Sequence, residues 1–213
     1  MSAADFLLAP EVQKLLRVVF SEPDKPFTIA ALSKATKLDA GDVVRTQAHL
    51  VDSGILNLHK ADSEEGDSVS ANTSFIFYAE LRRIAIKSFA AAEPIRAMLR
   101  SKFKSSVLRA FVLGEDEQGV LELLVVHGQL VPDESDMSAA CRKLSASIGR
   151  HLKVHVISSN NYAALTARDY LGVKLANGAA IEVIGEGDTK AKPQVERKGL
   201  LQSARKKLAA LAR

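Results

Sequence analysis

Val107-Leu-Arg-Ala-Phe-Val-Leu113 and Val120-Leu-Glu-Leu-Leu-Val-Val126, the two halves of VLRAFVLGEDEQGVLELLVVH over residues 107–127, decide how the chain is read. Each is a β-branched and leucine-rich run too short for an ordinary helix, and the connection between them is polar and bounded by Gly114 and Gly119. A buried strand, a tight turn and a second buried strand are the economical reading. Side chains two apart on a strand leave the same face, so Val120 and Glu122 share one side of the sheet and Glu122 is the lone carboxylate of that pair.

Downstream, Asp133 to Gly149 has helical spacing, with Met137, Ala140, Cys141, Leu144 and Ile148 on the inward stripe and Asp133 near its start. Lys153 to Ser158 reads as a third strand, Asn160 to Asp169 as a helix carrying Tyr162 and Leu165, and Ile181 to Ile184 as a short last strand. Gly185 to Pro193 is a turn-rich linker. Val195 to Arg213 then forms a basic amphipathic helix, with Leu200, Leu201, Ala204, Leu208 and Leu211 on one side and Arg197, Lys198, Arg205, Lys206 and Lys207 elsewhere. Its expected role is docking onto an acidic body of its own chain or of a protein partner, ahead of phosphate contact or of a membrane surface, for which it lacks an aromatic anchor.

Upstream, Leu8 to Phe20 repeats apolar residues at Val12, Leu15, Leu16 and Val19. Thr28 is placed to cap a helix from Ile29 to Thr36, and Asp39 a second from Ala40 to Ser53, which Gly54 stops. Ile55 to Lys60 and Thr73 to Tyr78 alternate in strand fashion across the polar loop Ala61 to Asn72, which predicts a hairpin. Ala79 to Phe89 and Ile95 to Phe103 read as connector helices interrupted at Pro94.

Composition narrows the function classes. A chain of 213 residues suits two small domains, and no apolar run approaches the length of a membrane helix. Met1 to Phe20 is broken by charges and Pro10, unlike a signal peptide. One cysteine, Cys141, excludes an internal disulfide or a cysteine metal site and fits a reducing cytoplasm; its helical setting reads as a packed thiol. His151 and His155 would need a helix to pair as ligands at that spacing, and they fall on a strand, so no metal is expected. The net charge of +4 is segregated. Residues 1–80 carry 7 Lys and Arg against 12 Asp and Glu, residues 81–109 carry 8 against 1, residues 110–189 carry 6 against 11, and residues 190–213 carry 8 against 1. The basic segments suit a polyanion, or pair with the acidic bodies, or stay solvated.

Two resemblances follow from these residues. Ile29-Ala-Ala-Leu32 through Val43, Arg45 and Leu50 to Gly54-Ile-Leu56 resembles the winged helix-turn-helix of prokaryotic transcription regulators. Phe111, Gly114 and Leu123-Leu124-Val125-Val126 resemble the start of a minimal nucleotidyltransferase domain of the polymerase-beta type. In that family Gly-Ser ends the first strand, Asp-x-Asp opens the second to hold Mg²⁺ against a triphosphate, and a third carboxylate sits on the next strand. Here the serine is Glu115, the aspartates fall on Val120 and Glu122, and the third position is Lys153, so the resemblance implies a domain without catalytic residues or cofactor.

The fold expected is therefore α+β: a winged helix-turn-helix over residues 1–80, connector helices over 81–104, a degenerate nucleotidyltransferase-like α/β domain over 105–188 and a basic tail helix over 189–213. The resemblance implies a cytoplasmic transcription regulator that reads double-stranded DNA as a homodimer through the connector helix, its second domain a pseudoenzyme serving as scaffold, dimerisation surface or ligand domain. Asp42, Arg45, Thr46 and His49 are the candidate groove contacts, and Lys34, Asn57 and Lys60 the backbone anchors. Acidic residues in the predicted wing favour the alternative of a protein-interaction module. A third reading, a nucleotidyltransferase that modifies a partner protein, requires Glu115 or Glu117 to join Glu122 as a metal ligand.

Overall fold

The computed structural model describes residues 2–61, 66–116 and 118–194, and the chain folds as a mixed α+β protein with a three-stranded antiparallel sheet and a four-stranded mixed sheet. Val12, Leu15, Leu16 and Val19 give α1 (Pro10–Val19) an apolar stripe, and Leu15, Leu16 and Val19 are fully buried. A two-residue strand β1 (Phe27–Thr28) leads into α2 (Ile29–Thr36), whose start is capped by Thr28 Oγ1 accepting from the Ala31 amide at 3.3 Å. Lys37 closes α2 in the left-handed conformation at φ 58°. Asp39 then caps α3 (Ala40–Asp52), accepting from the Asp42 amide at 2.8 Å.

The hairpin partner differs from the sequence reading. β2 (Leu56–His59) pairs with β3 (Ser68–Ala71), and β3 also pairs with β1, giving the order β1-β3-β2. Thr73 to Tyr78 is no strand: the Asn72 carbonyl and side chain turn the chain by accepting from Phe75 and Ser74 amides, and Tyr78 opens α4 (Tyr78–Lys87). The small side chains of Ser68-Val-Ser-Ala71 fit a buried centre position, whereas Ile76 and Phe77 remain exposed. Asp62 to Glu65, in the loop, lie outside the described residues.

One buried run links the two halves. Ala85, Phe89 and Ala90 belong to the first core, and Ala91, Ala92, Ile95, Leu99 and Phe103 to the second. The break expected over Ala90–Pro94 falls at residues 88–91, and α5 (Ala92–Lys102) resumes before Pro94, since a first-turn proline has no helical amide to lose.

β4 (Val107–Glu115) and β5 (Val120–His127) are antiparallel, as their turn requires, and β5 returns through α6 (Glu134–Ile148) to the parallel strand β6 (His151–Ser158). With β7 (Ile181–Ile184) antiparallel to β4 the order is β6-β5-β4-β7. Leu121, Leu123 and Val125 face α5 and α6; Leu124 and Val126 face the other way, with Phe111 stacked on Tyr162 at 5.7 Å. On that second face the single helix expected over Asn160–Asp169 is replaced by α7 (Ser159–Ala163) and α8 (Tyr170–Ala176). The Asp169 carboxylate accepts from the Thr166 amide and hydroxyl, which fixes a tight turn between them.

Residues 188–194 are a strap rather than a free linker. Thr189 Oγ1 donates to the Val107 carbonyl at 2.6 Å, Lys192 accepts from the Gln129 amide at 2.8 Å, and the Gln194 amide donates to Ser159 Oγ at 3.0 Å. The tail expected to be helical, Val195 to Arg213, lies outside the described residues. An ideal Cβ on Gly128 would stand 2.0 Å from the Lys192 carbonyl oxygen, so only glycine lets the strap pass. Gly128→Ala is expected to cost about 1–3 kcal/mol in urea unfolding and to raise hydrogen exchange at the Gln129 and Gln194 amides, the ones the strap protects.

Candidate functional site

Two places collect the residues that the sequence singled out. On α3, Val43, Gln47 and Leu50 are buried, and the opposite meridian of the helix carries Gly41, Arg45, Ala48 and Asp52, all exposed. Asp42 and Thr46 lie to one side, half-buried toward α1, and with Arg45 and His49 they line a shallow cavity of about 300 Å³ shared with Ala9, Glu11 and Val12. Arg45 is ion-paired with Asp42 within that face. Lys34, Asn57 and Lys60 are exposed. The α3 surface thus offers one cation and one imidazole beside the carboxylates of Glu11, Asp42 and Asp52.

The second place is at the turn end of the β4–β5 pair. Gly114 stands opposite Glu122 across β4 and β5, and Glu122 opposite Lys153 across β5 and β6, so three of the singled-out positions form one row over three strands. Val120, half-buried, is opposite His151. Glu122 is not alone on its face. Tyr170 donates its hydroxyl to the carboxylate, 2.6 and 2.7 Å from its two oxygens, and Lys153 and Lys174 each bring an ammonium to 3.5 Å. Burial alone would raise the Glu122 pKa, but the Tyr170 hydrogen bond, Lys174, Lys153 and His155 together hold it below the usual glutamate value. His155 packs beside Tyr170 with ring centroids 6.1 Å apart. The carboxylate is therefore ionised and its lone pairs are already occupied; a divalent cation would have to displace two ammonium groups to reach it.

Glu115 does something else. Its carboxylate is buried against Arg82 of α4 at 2.7 Å and Arg150, at the head of β6, at 3.3 Å. Arg150 also donates to the Phe20 carbonyl at 2.9 Å, so this group ties the end of α1 to the second sheet. Its side chain is 1% exposed. Burial pulls the Arg150 guanidinium below its ordinary pKa, an effect that Glu115 opposes and Arg82 reinforces. Gly149, left-handed at φ 66°, ends α6 directly against Ser21: a Cβ there would lie 2.8 Å from the serine hydroxyl. Glu115 is consequently committed to two guanidiniums rather than to a metal, and Glu117 lies outside the described residues. Among the described residues, no group of three or more His, Cys, Asp and Glu side chains is placed to hold a metal ion. Cys141 is buried and its thiol is pushed up by burial, which keeps it protonated.

Sequence reasoning missed Arg82, Arg150, Tyr170 and Lys174 as partners of these carboxylates. Arg82 and Arg150 are far from Glu115 in sequence, and Tyr170 and Lys174 lie on a seven-residue helix, Tyr170 standing 48 residues from Glu122. No family model, curated protein or solved structure matches the chain.

Two outcomes follow. Glu115→Ala leaves the Arg150 guanidinium buried without its counter-charge, and is expected to lower stability by about 3–5 kcal/mol in denaturant melts, whereas replacing Arg82, Glu115 and Arg150 together by packed apolar residues costs far less. For Glu122 the folded-state pKa is depressed, so its stabilising contribution is complete above the ordinary glutamate value of about 4.3 and disappears as pH falls through the lower folded value. The stability gap between the wild-type protein and Glu122→Gln should be constant near neutral pH and close on acidification; a gap that does not change down to acid unfolding would contradict the ionised assignment.

Proposed function

We propose that the chain is a DNA-binding transcription regulator, in which the first unit is a winged helix and the second a nucleotidyltransferase-like domain that has exchanged catalysis for support. The observation that carries this reading is the order α1-β1-α2-α3-β2-β3, with a three-residue turn between α2 and α3 and the β2–β3 hairpin paired back onto β1. That is the arrangement in which a second helix enters a major groove and a hairpin flanks it. Arg45 and His49 are the exposed groups of α3 suited to base edges, while Lys34, Asn57 and Lys60 suit phosphates. Asp42 acts in this reading through Arg45, releasing it when a base or phosphate takes its place. Thr46 borders the same face.

The second unit supports the first through the Glu115 network, and the occupied Glu122 argues for a pseudoenzyme over nucleotidyl transfer to a partner protein. A homodimer belongs to the proposal, since an operator is commonly approached by a two-fold pair. The apolar side of α5 is spent inside the chain, so the dimer contact is assigned to exposed apolar groups such as Phe6, Ile76 and Phe77. A cytoplasmic setting accompanies this reading. No helix among the described residues is long and apolar enough to cross a membrane.

A protein-interaction module is the second reading, and a specific observation favours it. The outermost residues of α3 carry one positive and one negative charge, and three connector cations are engaged within the chain: Arg82 by Glu115, Arg96 and Arg100 by Asp188. A DNA surface is ordinarily more basic.

Selection of mixed genomic duplex by the purified full chain, at low and moderate salt, separates the two. A palindromic site retained at moderate salt and lost in the Arg45→Ala/His49→Ala double variant, by about 1–3 kcal/mol per base contact removed, is expected for a reader. Binding that salt erases and the double variant leaves unchanged would assign the affinity to the basic segments and give the protein-interaction reading the lead.

A further inference from the structure

The face of the second sheet toward α6 carries a groove of about 840 Å³ between α6 and the edge strand β6. Its lining is largely apolar, including Val131, Pro132, Met137, Cys141, Val154 and Val156. Val131 is 68% and Val156 42% exposed, and Leu130 beside them is 60% exposed. Apolar side chains gathered so in a concave surface favour an apolar occupant.

The strap brings the chain to this groove. Lys192 is bonded to Gln129, one residue from Leu130, and Gln194 to Ser159, the residue after β6. Residues 195–213 therefore start at the end of the groove where α6 begins. If helical, the stretch from Val195 to Leu211 extends about 25 Å at 1.5 Å per residue, against about 22 Å for the 15 residues of α6. Leu200, Leu201, Ala204, Leu208 and Leu211 then fall within one stripe, matching the apolar lining. At helical spacing Arg197 shares that meridian, three residues after Gln194, and the start of α6 carries the exposed carboxylates of Asp133, Glu134 and Asp136. Arg142, also in the lining, is a cation of the groove, and at helical spacing Lys206 lies opposite the apolar stripe.

We propose that the segment 195–213 docks into the α6–β6 groove of its own chain through Leu200, Leu201, Ala204, Leu208 and Leu211. The docked segment covers Leu130, Val131 and Val156, and it places the basic tail over the acidic start of α6. This assignment is independent of whether the first unit reads DNA.

Cys141, the one cysteine of the chain, lines the groove and serves as a native reporter. Full-length variants Leu201→Cys, Ala204→Cys, Leu208→Cys and Lys206→Cys are oxidised at low protein concentration with copper phenanthroline and compared by intact mass and by non-reducing electrophoresis. Docking predicts an intramolecular disulfide in at least one stripe variant and none in Lys206→Cys, because only groups about 4–7 Å apart at Cα close the bond. Adding Val131→Asp and Val156→Asp to the crosslinking variant should abolish it while circular dichroism stays unchanged. No crosslink in any stripe variant, equal crosslinking of all four, or disulfides formed only between chains would each overturn the proposal, the last by assigning the groove to the tail of a second copy.

Discussion

A guanidinium removed from water must be answered by charge and hydrogen bonds, and the arrangement of this chain depends on how Arg150 is answered. Glu115 from the end of β4 and the Phe20 carbonyl from the end of α1 meet on that side chain, and Arg82 of α4 joins the group by sharing the Glu115 carboxylate. Such a group adds little net stability compared with apolar packing, because desolvation consumes much of the attraction. Its consequence is geometric: the partners have few other positions in which their charges are compensated, so the first unit is held to the second in one register. Ser21 against Gly149 and the continuous burial of Phe89 to Ala92 fix the same seam by packing.

The same reasoning accounts for the two carboxylates of the turn after β4. An acidic Glu115-Asp116 turn would repel an anion if its carboxylates faced outward. One faces inward to two arginines, while Asp116 accepts from the Gln118 and Val120 amides and shapes the turn itself. Across the strands, Lys153 stands opposite Glu122 and brings its ammonium to that carboxylate. The Tyr170 hydroxyl then completes the coordination of the carboxylate from α8.

What the sequence made legible was what local chemistry decides. The β4–β5 pair, the helices begun by Thr28, Asp39 and Asp133, and the first-strand and last-strand positions of the second sheet are set by period, capping and glycine placement, all within a few residues. The strand partner of β2 was not legible, because Phe75-Ile-Phe-Tyr78 has stronger strand preference than Ser68-Val-Ser-Ala71. Position between β1 and β2 admits small side chains, and that is a tertiary requirement overriding propensity. The break between α7 and α8 rests on Asp169 reaching back to Thr166, a turn signal hidden inside an otherwise helical spacing. The row Gly114, Glu122 and Lys153 was legible as a set of positions, whereas Arg82, Arg150 and Tyr170 were not, since ion-pair partners remote in sequence leave no periodic trace.

The segregation of charge along the chain also changes meaning once the fold is drawn. The basic segment over residues 81–109 is partly consumed at home: Arg82 by Glu115, Arg96 and Arg100 by Asp188, Arg109 by Glu182 across a strand pair and by the faces of Phe111 and Tyr162. Counted as free charge it suggested a polyanion surface; counted after pairing, Arg83, Lys87, Lys102 and Lys104 are the exposed cations that remain. Acidic and basic segments that alternate along a chain neutralise each other when the fold brings them together, so net charge per segment bounds a partner only after internal pairs are subtracted. By that measure, the connector over residues 81–109 presents a few separate cations rather than a broad basic field.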